Sequence, residues 1–502
     1  MDYDLYKKGP LQDDLYNALT GVYDDATIHG ISPYNFNRKY ITFSPLPATN
    51  SPHVDFKSSV RTLIWKYWTK DKAPSRLSFP MLSMLTELIV RLSSPLKNAL
   101  QHTYAYVFLD EFQDTTIVQY NLFKTIFEHS GSRLIAVGDE KQRIMGFADA
   151  LSDNFKRFEA DFSPIQLPLL YNFRSAPELV RIQMNIASAI QSCGHIIESQ
   201  KEDKGVCRAV LFDDENTEAK FIAGEIIKLI ESGTEPRDIA ILMRQRSTLS
   251  VMPIVQKHLI ASNIFIRNEE LFQDLLKEPV IQLIMSTIRL IFNLRSCEAW
   301  DNLIDYLINL SNSWDDEDAV LQESKLTSFL DKQRRNYRTS LLTIAEFETL
   351  LSCILFFLDE GCLKATFPQY EQGTCLEEVT KAFSKLFKES ITTTDSILAA
   401  LSAFVGENTI PVMTMHKSKG LEFSTVFYVG LDDKSLWGYR NNPLEETCGF
   451  FVAFSRAENN IIFTAVLERA GEACPRDQIK PLYDLLENSG VGIEDYTTDI
   501  FA

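Results

Sequence analysis

The chain has 502 residues, 45% of them hydrophobic and 24% charged, enough apolar side chains for a large core but too many residues for one domain. No stretch approaches the roughly 18 uncharged apolar residues of a membrane helix, the leading "MDYDLYKKGPLQDDLY" lacks an apolar signal segment, and the eight cysteines form no C-x-x-C pair, so a soluble, reduced, cytoplasmic protein is expected with neither zinc ribbon nor disulfide framework. A formal net charge of −18 opposes polyanion binding over the whole surface, yet leaves room for a local basic groove.

Residues 1 to about 100 are mixed, with a loop-like "ITFSPLPATNSPH" at 41–53. Apolar runs rich in Val, Ile, Phe and Leu then alternate with helical patterns, the signature of buried parallel strands. Strands are expected at 104–110, 133–139, 209–212, 238–244, 411–414, 425–430 and 460–466. In "TEAKFIAGEIIKLIESG" Thr217 suits a helix start and Gly233 its end. From about 272 to 408 the chain reads as helix after helix, "VIQLIMSTIRLIFNLR" being typical, and resembles an insertion between the halves of an α/β domain.

Five stretches carry chemistry. "YAYVFLDEFQDTT" ends an apolar strand on Asp110 and Glu111. An Asp at a strand's carboxyl end can hold Mg²⁺ beside a nucleotide, and a neighbouring Glu can act as base toward water. "RLIAVGDEKQRIMGFADA" repeats the strand and Gly-Asp edge and adds Gln142, able to read a γ-phosphate, and Phe147. A phenylalanine there can stack on a base, although alone it reads better as core.

"LLYNFRSAPELV" places Arg174 at a helix start, where its planar fork suits phosphate; taken singly, such an arginine reads as a surface salt bridge. "PVMTMHKSKGLEFSTVFYVGL" holds Thr414, His416, Gly420 and Glu422 between two strands. Gly420 tolerates positive φ, Glu422 suits ribose hydroxyls, and His416 lacks the acidic or cysteine neighbours of a metal ligand. "FFVAFSRAENNIIFT" presents Arg456 after an apolar helix, as an arginine finger would be.

Together "DEFQD", "GDEKQRIMGF", "NFRS", "TMHKSKGLEF" and "VAFSRA" resemble the ordered motifs of UvrD/Rep/PcrA-like superfamily 1 DNA helicases. The resemblance implies two RecA-like P-loop NTPase cores of α/β class, the first incomplete, with helical insertions and an ATP cleft between them. It also implies ATP-driven 3′ to 5′ translocation along single-stranded or partly duplex DNA. Residue by residue it implies Asp110 on Mg²⁺, Glu111 as base, Gln142 as γ-phosphate sensor, and Arg174 and Arg456 on that phosphate. It places Phe173 on adenine, Gly420 and Glu422 beside the nucleotide, and Phe147, Thr414 and His416 on the DNA track. The expected organisation is 1–95 as a mostly helical remnant of the first-core insertion and 96–165 as a partial first core. It continues with 166–271 and 409–502 as the halves of the second core around the 272–408 insertion.

The sequence departs from that pattern in one chemical respect. None of its 20 glycines precedes a lysine, so the G-x-x-x-x-G-K-[ST] phosphate loop is absent. Only 109 residues precede Asp110, too few for the usual first strand, loop, helix and insertion, which should leave an unpaired apolar edge. An N-terminally truncated motor, weak or inactive alone, is therefore expected, along with a chain supplying the missing core. The competing expectation is a non-hydrolysing DNA-binding or scaffold subunit of a repair or phage-defence complex. "KQRIMGF", Ala148 and "EETCG" are similar to helicase-like subunits of two-gene systems such as Gabija, which implies that the partner is a nuclease.

Overall fold

The computed structural model describes residues 37–49, 55–71, 75, 77–146, 150–191, 196–244, 251–292, 295–311, 316–337, 342–371 and 373–497. Two units emerge. The first comprises Met1–Leu170, Ile186–Ile197 and Gly438–Val452, and the second Tyr171–Asn185, Glu198–Trp437 and Ala453–Ala502.

In the first unit β1 (Tyr106–Leu109) pairs in parallel with β2 (Arg133–Ala136), Tyr106 opposite Arg133 and Leu109 opposite Ala136. The helix Ile117–Phe127 connects them, started by a Thr116–Gln119 capping box. Val107, Leu109, Leu134 and Ala136 pack on a phenylalanine-rich core of Phe112, Phe123, Phe127 and Phe158. Tyr106, Phe108 and Ile135 alternate with them, as the pleat requires, and stay exposed. Upstream, Tyr40, Ile41, Val60, Ile64, Met81 and Met84 form a separate cluster carried partly on the helices Phe56–Lys66 and Phe79–Leu92.

The second unit holds a short parallel pair, β3 (Tyr171–Asn172) with β4 (Glu198–Ser199). Its main sheet has eight strands: β5 (Val206–Asp214), β6 (Ile239–Met243), β7 (Phe265–Asn268), β8 (Thr409–Thr414), β9 (Phe423–Val429), β10 (Ala457–Arg469), β11 (Glu472–Ala473) and β12 (Ile493–Asp495). Their order is β12-β5-β10-β9-β6-β8-β7, with β11 antiparallel on β10 and every other pairing parallel. β6 and β8 are buried along their whole length, which is why they read as unbroken apolar runs. Buried Glu218 ties the helix after β5 to β10, lying 2.6 Å from Arg469 and accepting from the Thr464 hydroxyl at 2.7 Å.

One helix start differs from expectation. The helix runs Glu215–Glu231, and its cap is Asp214, which accepts from the amides of Asn216 and Thr217. Thr217 is the reciprocal member of that capping box, because β5 delivers the chain in extended conformation to Asp214 (φ −143, ψ 173) and not to Thr217. Gly233 does end it, with φ +99 and its amide bonded to the Ile230 carbonyl at 3.0 Å. Between β7 and β8 lie the long helices Pro279–Phe292, Cys297–Ser311, Asp316–Asn336, Ile344–Leu358, Cys375–Thr393 and Ile397–Val405. They enclose their own core, including Ile284, Phe347, Phe383, Phe387 and Phe404, distinct from the sheet core of Val210, Ile241, Val412 and Phe427.

Candidate nucleotide and nucleic-acid sites

Asp110 and Glu111 emerge where β1 stops, both exposed. Asp110 turns its Oδ1 back to the Glu111 amide at 2.8 Å. Glu111 itself adopts left-handed φ of +49, a conformation that a non-glycine residue holds only when its surroundings fix it. One fixing partner is Gln113, a residue of the acidic turn to which the sequence gave no role. Its Nε2 donates to Glu111 Oε2 at 2.5 Å, and its Oε1 accepts from the Asp139 amide at 3.0 Å. Asp139 in turn accepts from Gln142 Nε2 at 3.3 Å and lies 2.6 Å from the Lys141 ammonium.

Glu111, Gln113, Asp139 and Gln142 thus form one hydrogen-bonded chain across the carboxyl ends of β1 and β2. Gly138 makes this approach possible, since an added Cβ would overlap the Gln113 side-chain oxygen and come within 3.0 Å of the Phe112 amide. Buried Asn154 fastens the same turn, donating to the carbonyls of Phe112 and Thr115, each at 2.9 Å. Phe147 lies outside the described residues.

In the second unit three distant stretches meet. Asn172 accepts from the amides of Arg174 and Ser175 at 2.9 and 2.8 Å, closing the turn that presents Phe173. Phe173 is 74% exposed, a free ring face unusual for phenylalanine. Arg174 Nε donates to Glu422 at 2.8 Å, and its Nη1 to the Ser455 carbonyl at 3.3 Å. The surface salt bridge expected of a lone arginine is therefore present, and its partner is the acid expected beside ribose.

Arg456 is buried, with 1% exposure, and donates to the Leu421 carbonyl at 3.2 Å and the Ser455 hydroxyl at 2.8 Å. Ser455 consequently touches both arginines, a link the sequence left unseen. Gly420 has φ +85 and open space where a side chain would stand. The structure brings Phe173, Arg174, Gly420, Glu422 and Arg456 into one neighbourhood.

Thr414 and His416 belong to a second cluster at the end of β8. The Thr414 hydroxyl and amide both donate to Glu270 Oε1, at 2.8 and 3.1 Å. His416 is half-buried; burial and the nearby Arg244 push its pKa down to about 4, with Glu270 opposing. Among the described residues no group of three or more His, Cys, Asp or Glu side chains is arranged to hold a metal ion.

Two family models match this chain: the UvrD/REP helicase N-terminal domain over residues 21–163, and the UvrD-like helicase C-terminal domain over 167–352 and 362–468. The chain belongs to the UvrD-like DNA helicase family. Its α/β units are accordingly RecA-like folds. Among UvrD-like relatives, it is 24% identical to a Bacillus subtilis protein named putative ATP-dependent DNA helicase YjcD, over 87% of this chain and 61% of that protein. It is also 24% identical to the ATP-dependent DNA helicase PcrA of Staphylococcus epidermidis, over 83% of this chain and 62% of the relative. One component of an ATP-dependent helicase/nuclease of Lactococcus lactis is 24% identical over 73% of this chain and 37% of its own length. This UvrD-like chain thus spans about 60% of the length of the first two curated relatives. No described helix is long and apolar enough to cross a membrane.

Proposed function

We propose that this UvrD-like chain binds Mg·ATP and single-stranded DNA and works as part of an ATP-driven 3′ to 5′ translocase. What supports this most is the convergence of Phe173, Arg174, Glu422 and Arg456, drawn from three motifs, around Ser455. An exposed aromatic ring beside an arginine and an acid suits a nucleoside polyphosphate: base on ring, ribose on acid, phosphate on guanidinium. Arg174 is within reach of solvent, whereas buried Arg456 orients Ser455 and the 421–423 loop.

In the first unit a lone exposed Asp110 fits Mg²⁺, which usually enters on phosphate oxygens with only one or two carboxylates. Such an ion neutralises phosphate charge when bound. Glu111, held by Gln113, would accept the proton of the attacking water, and Gln142 would hold the water or γ-phosphate. The organisation proposed places first-core residues at 96–165. The halves of the second core, 166–271 and 409–502, flank the helical block 272–408.

A second reading, a non-hydrolysing DNA-binding component of a larger complex, is favoured by the absence of any Gly-Lys pair, because phosphate positioning is most of this catalysis. A nuclease partner, as in phage-defence systems, accords with the name of the Lactococcus relative. The deciding experiment is DNA-stimulated ATP hydrolysis by the 502-residue chain beside Glu111→Gln. Slow hydrolysis that falls by about 10²-fold or more in the variant supports the motor. Nucleotide-independent DNA binding with no hydrolysis supports the second reading.

A further inference from the structure

The loop after β8 carries donors suited to phosphate oxygens, and in this structure carboxylates already take them. Both donors of Thr414 end on Glu270 Oε1, at 2.8 and 3.1 Å. The Lys417 ammonium donates to Asp274 Oδ2 at 2.9 Å and lies 3.5 Å from the Glu270 carbonyl. Gln273 adds a neutral tie, donating to the Lys417 carbonyl at 3.3 Å. Positions 270, 273 and 274 lie three and four apart, so a single helical turn presents all of them to one side.

The segment bearing these acids is itself anchored. Arg267 pairs with Glu269 at 2.5 Å, donates to the Phe404 carbonyl at 2.6 Å, and lies 4.9 Å over the Phe272 ring. Gly406 leaves room for that guanidinium, which an added Cβ would overlap. Leu275 belongs to the helical core, whereas Val412 belongs to the sheet core. Glu270 thus follows the sheet strand β7 within two residues, Asp274 adjoins Leu275 of the helical core, and the donors stand at the end of β8.

We propose that Glu270 and Asp274 are a phosphate-mimicking latch, which the backbone of single-stranded DNA must displace to reach Thr414 and Lys417. The proposal rests on the DNA-binding reading given above. A phosphate entering beside Glu270 meets a like charge with its donors already engaged, so binding is an exchange of one anion for another. Lys417, neutralised in advance by Asp274, then contributes little to counterion release. Displacing the latch also removes the hydrogen bonds that tie the 269–274 turn to the loop after β8, which links DNA occupancy to the placement of that turn.

The test measures binding of fluorescein-labelled oligo(dT) by anisotropy across a KCl series, for the 502-residue chain and for Glu270→Gln, Asp274→Asn and the double variant. The double variant is expected to bind about tenfold tighter at moderate salt, with a log–log salt slope steeper by about 0.7 for one gained phosphate contact. Lys417→Ala in that background should return the slope to its starting value. Asp274 is 79% exposed in its ion pair, so Asp274→Asn also serves as a variant whose folding is not at issue. Unchanged or weaker binding by the variants, while the parent chain binds, overturns the latch alone and makes the acids positioning groups. No binding by any of them overturns the latch together with the reading beneath it.

Discussion

His416 shows how one side chain reports its surroundings. Its ordinary pKa is 6.5, and in the fold burial and Arg244 lower it to about 4 despite Glu270. Between those values the unfolded chain binds a proton that the folded chain does not. The stability associated with the neutral ring is thus complete above pH 6.5 and is lost progressively as pH falls toward 4, by up to about 3 kcal/mol. Urea unfolding at about pH 4.5 and about pH 7.5, on either side of the ordinary histidine value, should show a smaller pH difference for His416→Gln than for the parent chain. A ring proton titrating near 6.5 by NMR would contradict this assignment. The sequence, by resemblance, set His416 on the DNA track but gave no sign of a depressed ring, because the burial and the cation that lower it come from the fold, with Arg244 at the end of β6, far away in the chain. The same limit explains Gln113, Ser455 and Glu270. Residues whose chemistry is intrinsic, such as Asp110, Glu111 and Arg174, stood out by type and motif. Those acting by orienting a distant partner did not.

At the scale of elements, the strands most apolar on both faces were the most legible. All seven expected strands are present, whereas the two-residue strands β3, β4 and β11 were missed, as were β7 ("FIRN") and β12 ("IED"), whose polar residues break the apolar run. Thr217 lost the capping role to Asp214 because the sequence does not show where an extended strand hands over to a helix. β1 and β2 carry a sharper consequence. A parallel pair is usually covered on both faces, yet Tyr106 and Phe108 are 57% and 69% exposed, while Val107 and Leu109 pack on the phenylalanine core. Tyr106 and Phe108 thus present an apolar face that is uncovered among the described residues. Phe108→Lys should therefore change stability by less than about 0.5 kcal/mol, and Leu109→Ala should lower it by about 2 kcal/mol or more. Denaturant titrations with the opposite ranking would show that Phe108 is covered in solution.

At the scale of the whole molecule, the charge of −18 confines any DNA site to a local patch, because polyanion binding depends on where Lys and Arg face phosphates. More telling is that, among the described residues, the second unit has at least two separate cores. The sheet core draws on residues from Val210 to Cys474, interrupted by the helical block, whose own core runs from Leu275 to Phe404. Phe387 sits at the centre of the latter, fully buried, with Phe347, Phe383 and Phe404 at ring-centroid distances of 4.9, 5.1 and 5.4 Å. Phe387→Ala removes a large side chain from that packing, at a cost of about 3–5 kcal/mol. If the two cores unfold as separate cooperative units, the loss falls on the block alone. Hydrogen exchange followed by mass spectrometry should then accelerate across 279–405 and leave 206–214, 239–243 and 409–469 nearly as protected as before. The polar ties from Arg267 and Glu270 are too few to transmit a loss of that size into a sheet whose strands β6 and β8 are wholly buried. Acceleration in both regions together would mean that block and sheet fold as one unit. The latch residues would then be part of its packing rather than a tie that DNA can open.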